Sequence, residues 1–318
     1  MDLSHQTVLV TGGGGFMGSH LCEALVESGA GVRVMDNFSS GRVSNLAGIE
    51  DRLELFDGSV EDASMVKNAC RGVDAVVHAA FPMSMRERSM ETSVVVDYLA
   101  GLFNLLKEAI ANHALFVFIS SIAVYGDQKY VPVDENHPLE PVMLHGAMKL
   151  SGEFLCRALA NSHGLKAIIL RVADIYGPRN TRISVPVRFL INALQGVPLR
   201  VFGSGRQART YTYVDDFVRA VLSALQTPSA AGMVLNIAGD QAISLYDLAL
   251  LVKEVTGSDS QVILEENVAA DDRRLVIDGT LAKNVLKLGR SVTIREGLIK
   301  MRDWLLQNPD FYFGGVPS

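Results

Sequence analysis

Three glycines, Gly12, Gly15 and Gly18, stand at G-x-x-G-x-x-G spacing in the stretch Thr11-Gly12-Gly13-Gly14-Gly15-Phe16-Met17-Gly18. The stretch follows a short apolar run and opens an amphipathic pattern. In that setting each glycine has a physical task. The first permits a tight turn, the second lets backbone N–H groups reach a pyrophosphate, and the third lets a helix pack closely on a sheet. The helix N-terminus then faces the negative charge. A Gly-rich turn can also serve the fold alone. Asp36 adds a second signal. It closes the next apolar run, about 20 residues on, where a carboxylate can accept both hydroxyls of an adenosine ribose. The same carboxylate repels the extra phosphate of NADP, so the expected dinucleotide is NAD. Arg33 and Arg42 are the nearby residues through which NADP would be tolerated.

The elements that must position these groups alternate along the first half of the chain. Thr7–Thr11, Val32–Asp36, Leu53–Phe56, Ala75–His78 and Leu115–Ser120 read as buried strands. Ser19–Ser28 reads as a helix ending at Gly29, and Glu91 to Asn112 as a long helix. Ala147 to Ser162 reads as another, closed by Gly164 before the strand Ala167–Val172. Strand–helix alternation specifies a parallel sheet covered on both faces. After Gly177-Pro178-Arg179 the rhythm changes to short pieces, Val187–Gln195, Leu199–Phe202 and Val234–Ala238, with two or three more helices from Ser244 on. The expected fold is α/β, a Rossmann-type doubly wound parallel sheet with a smaller, interleaved C-terminal lobe. Residues 1–177 form the first unit, with 209–240 returning to it. Residues 178–208 and 241–318 form the lobe.

Bulk properties narrow the function. The 318 residues are 48% hydrophobic, enough for a large core, and carry a net charge of −6. That sign argues against nucleic acid or an anionic membrane surface as the main partner. No apolar run is long enough to span a bilayer, and Thr7–Val10 is too short for a signal-peptide core. Cys22, Cys70 and Cys156 are few and far apart, which fits free thiols in the cytoplasm. The seven His show no metal-ligand spacing, so no metal site is expected.

In family order, the motifs resemble those of the extended short-chain dehydrogenase/reductases of the nucleotide-sugar epimerase/dehydratase type, from about Thr7 to Trp304. The carriers are the Gly-rich turn, Asp36-Asn37-Phe38-Ser39-Ser40-Gly41-Arg42, Gly58-Ser59-Val60 and Val77-His78-Ala79-Ala80. Further along come Ser120-Ser121-Ile122-Ala123-Val124-Tyr125-Gly126, Leu144-His145-Gly146-Ala147-Met148-Lys149 and Arg171-Val172-Ala173-Asp174-Ile175-Tyr176-Gly177-Pro178. Phe202-Gly203-Ser204-Gly205 through Arg209 and Val214-Asp215-Asp216 complete the set. The resemblance implies a cofactor site made of Gly12, Gly15, Phe16, Met17, Gly18, Asp36, Asn37, Ser40, Gly41, Ser59, Val60, Ala79, Ala80, Lys149 and Ala173. It implies catalytic roles for Ser121, His145 and Lys149. Ser84, Ser121, Asp174, Arg209 and Arg273 become the substrate contacts. Lys149 would hold the nicotinamide ribose and lower the pKa of the base, and Ser121 would bond the reacting sugar hydroxyl.

The chain departs from the family pattern in the base itself. His145 stands where the family carries Tyr. A phenol has an intrinsic pKa near 10 and needs help to become a base, whereas an imidazole, near 6.5, is already basic at neutral pH. Its nitrogen also reaches less far. Three readings follow: a working His base, a base supplied by another group or water, or a disabled site. Asp174 replaces an Asn, where it would sit badly against a pyrophosphate or serve as a turn residue, and Val268 replaces an Arg. Ile122-Ala123 stand where 4,6-dehydratases carry Asp-Glu, and the decarboxylase Glu falls at Ala123. Dehydration and decarboxylation are therefore disfavoured, despite the family-like loop Phe81-Pro82-Met83-Ser84.

The expected function is NAD-dependent epimerisation of a nucleotide-diphosphate sugar through transient oxidation at C4. The alternatives are a sugar dehydrogenase or ketoreductase, and a catalytically weak NAD(H)-binding protein. The resemblance also implies a homodimer built from the two long helical patterns. Val94, Val95, Tyr98, Leu102, Phe103 and Leu106 exceed what one sheet-facing stripe requires. The C-terminal lobe could cover the same surplus.

Overall fold

The apolar, β-branched runs of the first half become strands of one sheet. A computed structural model describes residues 2–82, 91–265 and 274–313. In chain order the first unit runs β1 (Thr7–Thr11), α1 (Phe16–Glu27), β2 (Gly31–Asp36), β3 (Leu53–Asp57), α2 (Ala63–Ala69), β4 (Ala75–His78), α3 (Thr92–Ala111), β5 (Leu115–Ser121), α4 (Leu144–His163) and β6 (Lys166–Val172). There follow β7 (Asp174–Tyr176), α5 (Val185–Leu194), β8 (Leu199–Phe202), β9 (Ala208–Tyr213), α6 (Val214–Gln226), β10 (Val234–Ile237), β11 (Ala242–Ser244), α7 (Leu245–Thr256) and β12 (Val262–Glu265). The chain closes with α8 (Thr280–Leu286), α9 (Ile294–Gln307) and α10 (Pro309–Phe313).

Seven strands form the main sheet in the order β10-β6-β5-β4-β1-β2-β3, and every pairing in it is parallel. Parallel strands buried on both faces need helices on both sides. One face is covered through Leu21 and Leu25 of α1 and Phe217 and Val221 of α6. The other is covered through Val66 of α2, Leu102, Leu105 and Leu106 of α3, and Cys156 of α4. The fold is thus α/β, doubly wound, as the alternation predicts. The winding reverses between β1 and β4, and the crevice at the carboxyl ends of those strands is where such sheets bind ligands.

A separate core gathers α5, α7 and α9 around Tyr176, Leu190, Leu248 and Met301. Two small sheets serve it, β11-β9-β7 and β12-β8. From Ser244 on, the described residues hold four helices, one or two more than the sequence pattern predicts, because α8 and α10 are too short to show a clear period. Helix α1 begins at Phe16 and α4 at Leu144, each three residues before its sequence-based start. In both cases the early glycines look like breakers but lie against other backbone. No helix among the described residues is long and apolar enough to cross a membrane.

Candidate active site

The turn after β1 is shaped by what its glycines touch. Gly12 has φ +74°, a left-handed conformation, and a Cβ there would lie 2.8 Å from Ala80 Cα. The β1 and β4 ends can approach only without that atom. A Cβ on Gly18 would lie 2.0 Å from the Gly12 oxygen, so the third glycine seats α1 on the turn. Gly15 differs. Its backbone is extended and caps α1, and a Cβ there would meet only the Gly12 oxygen, at 3.1 Å. Gly15 is not needed for internal packing, and it lines a cavity of about 230 Å³ at the helix N-terminus.

Phe16, Met17, Gly18, Asp36, Asn37, Ser40, Ser59, Val60, Ala79 and Ala80 line the same cavity with Gly12 and Gly15. Three sequence-predicted cofactor residues do not. Gly41 packs behind the wall, where a Cβ would lie 2.8 Å from the Gly14 carbonyl carbon. Ala173 is buried at the end of β6, its N–H donated to Ile237. Lys149 lies beyond the cavity in α4. Asp36 is fixed by the N–H groups of Gly14 and Phe38, each 2.8 Å from one carboxylate oxygen. Burial pushes its carboxyl above the usual carboxylate range, and those two N–H groups oppose the shift. Each oxygen keeps acceptor capacity for a ribose hydroxyl. A cradle kept open at Gly15, a helix N-terminus and a carboxylate at the end of β2 fit a dinucleotide.

The cavity has a rim that the sequence reading missed. Asn180, Thr181 and Arg182 complete its wall, and the residue before them ties the rim to α1. Arg179, at φ +65°, binds both carboxylate oxygens of Glu23 at 2.7 and 2.6 Å and the Asn45 carbonyl at 2.9 Å. Short polar segments such as this carry no periodic signal, and only the placement of Arg179 after Gly177-Pro178 hints at an anchor.

The residues that the sequence predicts to be catalytic lie past the cavity, where α4 meets the end of β5. Ser121 ends that strand half-buried, its hydroxyl oxygen accepting the Ala123 N–H at 3.2 Å. His145 occupies the first turn of α4 and Lys149 follows one turn later, and both are buried. Residues four apart share a helix face. Gly146 makes this approach possible, because a Cβ there would lie 2.3 Å from the Ala123 oxygen. The Lys149 ammonium donates to the Ile119 carbonyl at 2.8 Å. It also lies 4.6, 5.1 and 5.8 Å from the ring centres of Phe81, Phe118 and Tyr98. His78, one step before the Ala79-Ala80 wall, binds Thr11 Oγ1 at 2.8 Å. Burial, and then the Lys149 charge, depress its pKa to about 3, so it stays neutral.

A buried network stands behind this corner. Arg171 on β6 forms a two-pronged ion pair with Glu153 of α4, at 2.9 and 2.7 Å, and Glu153 also accepts from Ser120 at 2.6 Å. It locks α4 to the strand that ends in Ser121. Of the predicted substrate contacts, Asp174 and Arg209 form an ion pair at 3.4 Å across β7 and β9. Ser84 and Arg273, with Val268, lie outside the described residues. Among the described residues no three His, Cys, Asp or Glu are grouped to hold a metal.

Comparison with known proteins agrees with this architecture. A UDP-glucose epimerase of Bacillus subtilis, itself uncharacterised, is 30% identical over 92% of this chain and 95% of its own length. A dTDP-glucose 4,6-dehydratase of Streptomyces griseus is 30% identical over 98% of this chain and 97% of its own. The crystal structure of a UDP-glucose 4-epimerase of Thermotoga maritima, with UDP-glucose, superposes with a TM-score of 0.86. It is 32% identical and covers 95% of this chain and 99% of that one. The profile of the NAD dependent epimerase/dehydratase family matches residues 8–238, and the chain belongs to that family.

Proposed function

We propose that the protein is an NAD-dependent epimerase of a nucleotide-diphosphate sugar, acting at C4. The observation that carries this reading is the buried His145–Lys149 pair, one helical turn apart, beside the strand end that carries Ser121. The neighbouring strand ends, β1, β2 and β4, line the dinucleotide cavity. Bound NAD supplies a hydride acceptor that also returns the hydride. The protein's own groups handle the proton. The His145 imidazole takes it from the C4 hydroxyl, and Ser121 bonds the same oxygen. The Lys149 charge disfavours a second positive charge on the imidazole and so keeps it available as a base.

Residues 178–208 and 241–318 form the substrate lobe in this reading, with Arg209 facing the diphosphate and Asp174, Ser84 and Arg273 as further contacts. Ile122 and Ala123 occupy the turn after Ser121. Neither carries an acid, so elimination of water lacks a catalyst there, and epimerisation is favoured over the dehydratase reaction.

We also assign a homodimer. Tyr98, Leu102 and Leu106 are buried in the protein's own core, which removes three residues from the surplus counted in the sequence. Val96 and Phe103 on α3 and Phe154 on α4 remain 55%, 44% and 54% exposed. These three fit an isologous contact across a two-fold axis. A monomeric mass at micromolar concentration would exclude it.

The test of the catalytic reading is His145→Phe. Loss of a positioned base lowers the rate by about 10²–10⁴-fold. His145→Tyr restores the phenol of the family and keeps activity if the longer ring fits. Unchanged turnover in the Phe variant assigns the proton to water or another group. No turnover of any UDP, GDP, dTDP or CDP sugar by wild type or Tyr variant points to a binding protein.

A further inference from the structure

Phe81 touches both members of the catalytic pair. It is half-buried at the far wall of the dinucleotide cavity, just beyond the Ala79-Ala80 strand end. Its ring centre lies 4.8 Å from that of His145, with the ring planes at 88°. The Lys149 ammonium sits over the same ring at 4.6 Å, nearer than to Phe118 or Tyr98. Phe81 in turn packs edge-on against Tyr98 at 5.1 Å.

An aromatic face carries negative charge density that attracts an ammonium, and perpendicular ring pairs are a preferred arrangement. A leucine in this position could fill the space but supply neither. We propose that Phe81 is a positioning residue that fixes the Lys149 ammonium and the His145 imidazole relative to one another, the first over its face and the second at right angles to its ring. It sets how strongly the ammonium acts on the imidazole. The consequence for catalysis rests on the reading of His145 as the base, but the geometry does not.

Among the described residues, three groups near the pair carry no charge. From β4 comes His78, neutral because burial and the Lys149 charge hold its pKa down at about 3. From α3 comes Tyr98, whose phenol burial pushes well above its usual range, so it too is uncharged. From the end of β5 comes Ser121, which does not titrate. Lys149 is a charged neighbour on the same helix face.

The experiment is an NMR titration of the His145 imidazole in the NAD-loaded protein, in wild type, Phe81→Leu and Phe81→Tyr. A His145→Phe spectrum assigns the resonance, and thermal melting checks that each variant is folded. In Phe81→Leu the ammonium loses its seat and is better solvated. The imidazole pKa is then expected to rise by about half a unit or more, because a more distant like charge opposes protonation less. Phe81→Tyr keeps the ring face and is expected to titrate within a few tenths of a unit of wild type. A folded Phe81→Leu protein that titrates like wild type overturns the proposal, as does a Tyr variant that shifts as far as the Leu variant. If the Leu variant shifts while His145→Phe keeps full turnover, the positioning role stands and the base assignment falls.

Discussion

Alanine at Gly15 and at Gly18 separates cofactor binding from folding within one turn. A Cβ on Gly18 would lie 2.0 Å from the Gly12 oxygen and 2.8 Å from Gly12 C and Gly13 Cα. All three are backbone atoms that cannot rotate aside, so the turn or helix α1 must shift by more than an ångström. Overpacking of this kind costs about 1–3 kcal/mol, and this contact belongs at the upper end. At roughly 2–4 °C per kcal/mol for a chain of this size, the apoprotein should melt on the order of 5–10 °C lower. Gly15 has φ −77° and ψ 179°, which any residue adopts, and its single close neighbour is 3.1 Å away. Gly15→Ala should therefore melt within about 1–2 °C of wild type, since so small an adjustment costs only a few tenths of a kcal/mol. Gly15 lines the cavity, so an added methyl group is expected to intrude on the space a pyrophosphate needs. NAD affinity should fall about 100-fold, equivalent to about 2.7 kcal/mol. Melting of the apoproteins and calorimetric titration with NAD measure both quantities. If Gly15→Ala binds NAD like wild type, the cavity is not the pyrophosphate site. If it melts as low as Gly18→Ala, its role is structural.

Three further outcomes follow from the same geometry. His78 has a folded pKa near 3 against 6.5 when unfolded, so the unfolded chain binds more protons as pH falls. Its contribution is intact above pH 6.5 and is lost below it, by roughly 2 kcal/mol at pH 5. His78→Asn should flatten that part of a denaturant-derived stability profile, and an unchanged acid limb would contradict the assignment. Glu153→Ala leaves the fully buried Arg171 guanidinium without its carboxylate and should cost about 3–5 kcal/mol. Replacing both residues by Met should recover much of that loss in unfolding experiments. Asp36→Ala should weaken NAD more than NADP in titrations. Equal affinity of wild type for the two would remove Asp36 from the discriminating role.

The parts of the site legible in the sequence are those built from contiguous residues. The Gly-rich turn, Asp36 at a strand end and Ser121 at another each combine a local pattern with a local task. The start of α4 is not legible, because Gly146 looks like a helix breaker. Only the Ala123 carbonyl, brought near by folding, shows why Gly146 belongs in the helix. The surroundings of Lys149 come from the β4 end, α3 and β5, so no spacing along the chain reveals them. Glu153 and Arg171 pair between a helix and the following strand, and their charges in sequence look like solvated faces. Beyond residue 177, β8 pairs with β12 although 63 residues separate Leu199 from its partner Val262. Strands of four residues with such distant partners have too little pattern to be joined by inspection.

The most direct test of the proposed activity uses nucleotide sugars carrying deuterium at C4, incubated with the NAD-loaded protein. Product is read by NMR and mass spectrometry, and reduced cofactor by absorbance. A hydride that leaves and returns within one site gives a C4-inverted sugar that keeps its label, while the absorbance stays flat at steady state. A dehydrated or decarboxylated product, reduced cofactor accumulating in step with oxidised sugar, or no inversion of any UDP, GDP, dTDP or CDP sugar would contradict epimerisation at C4.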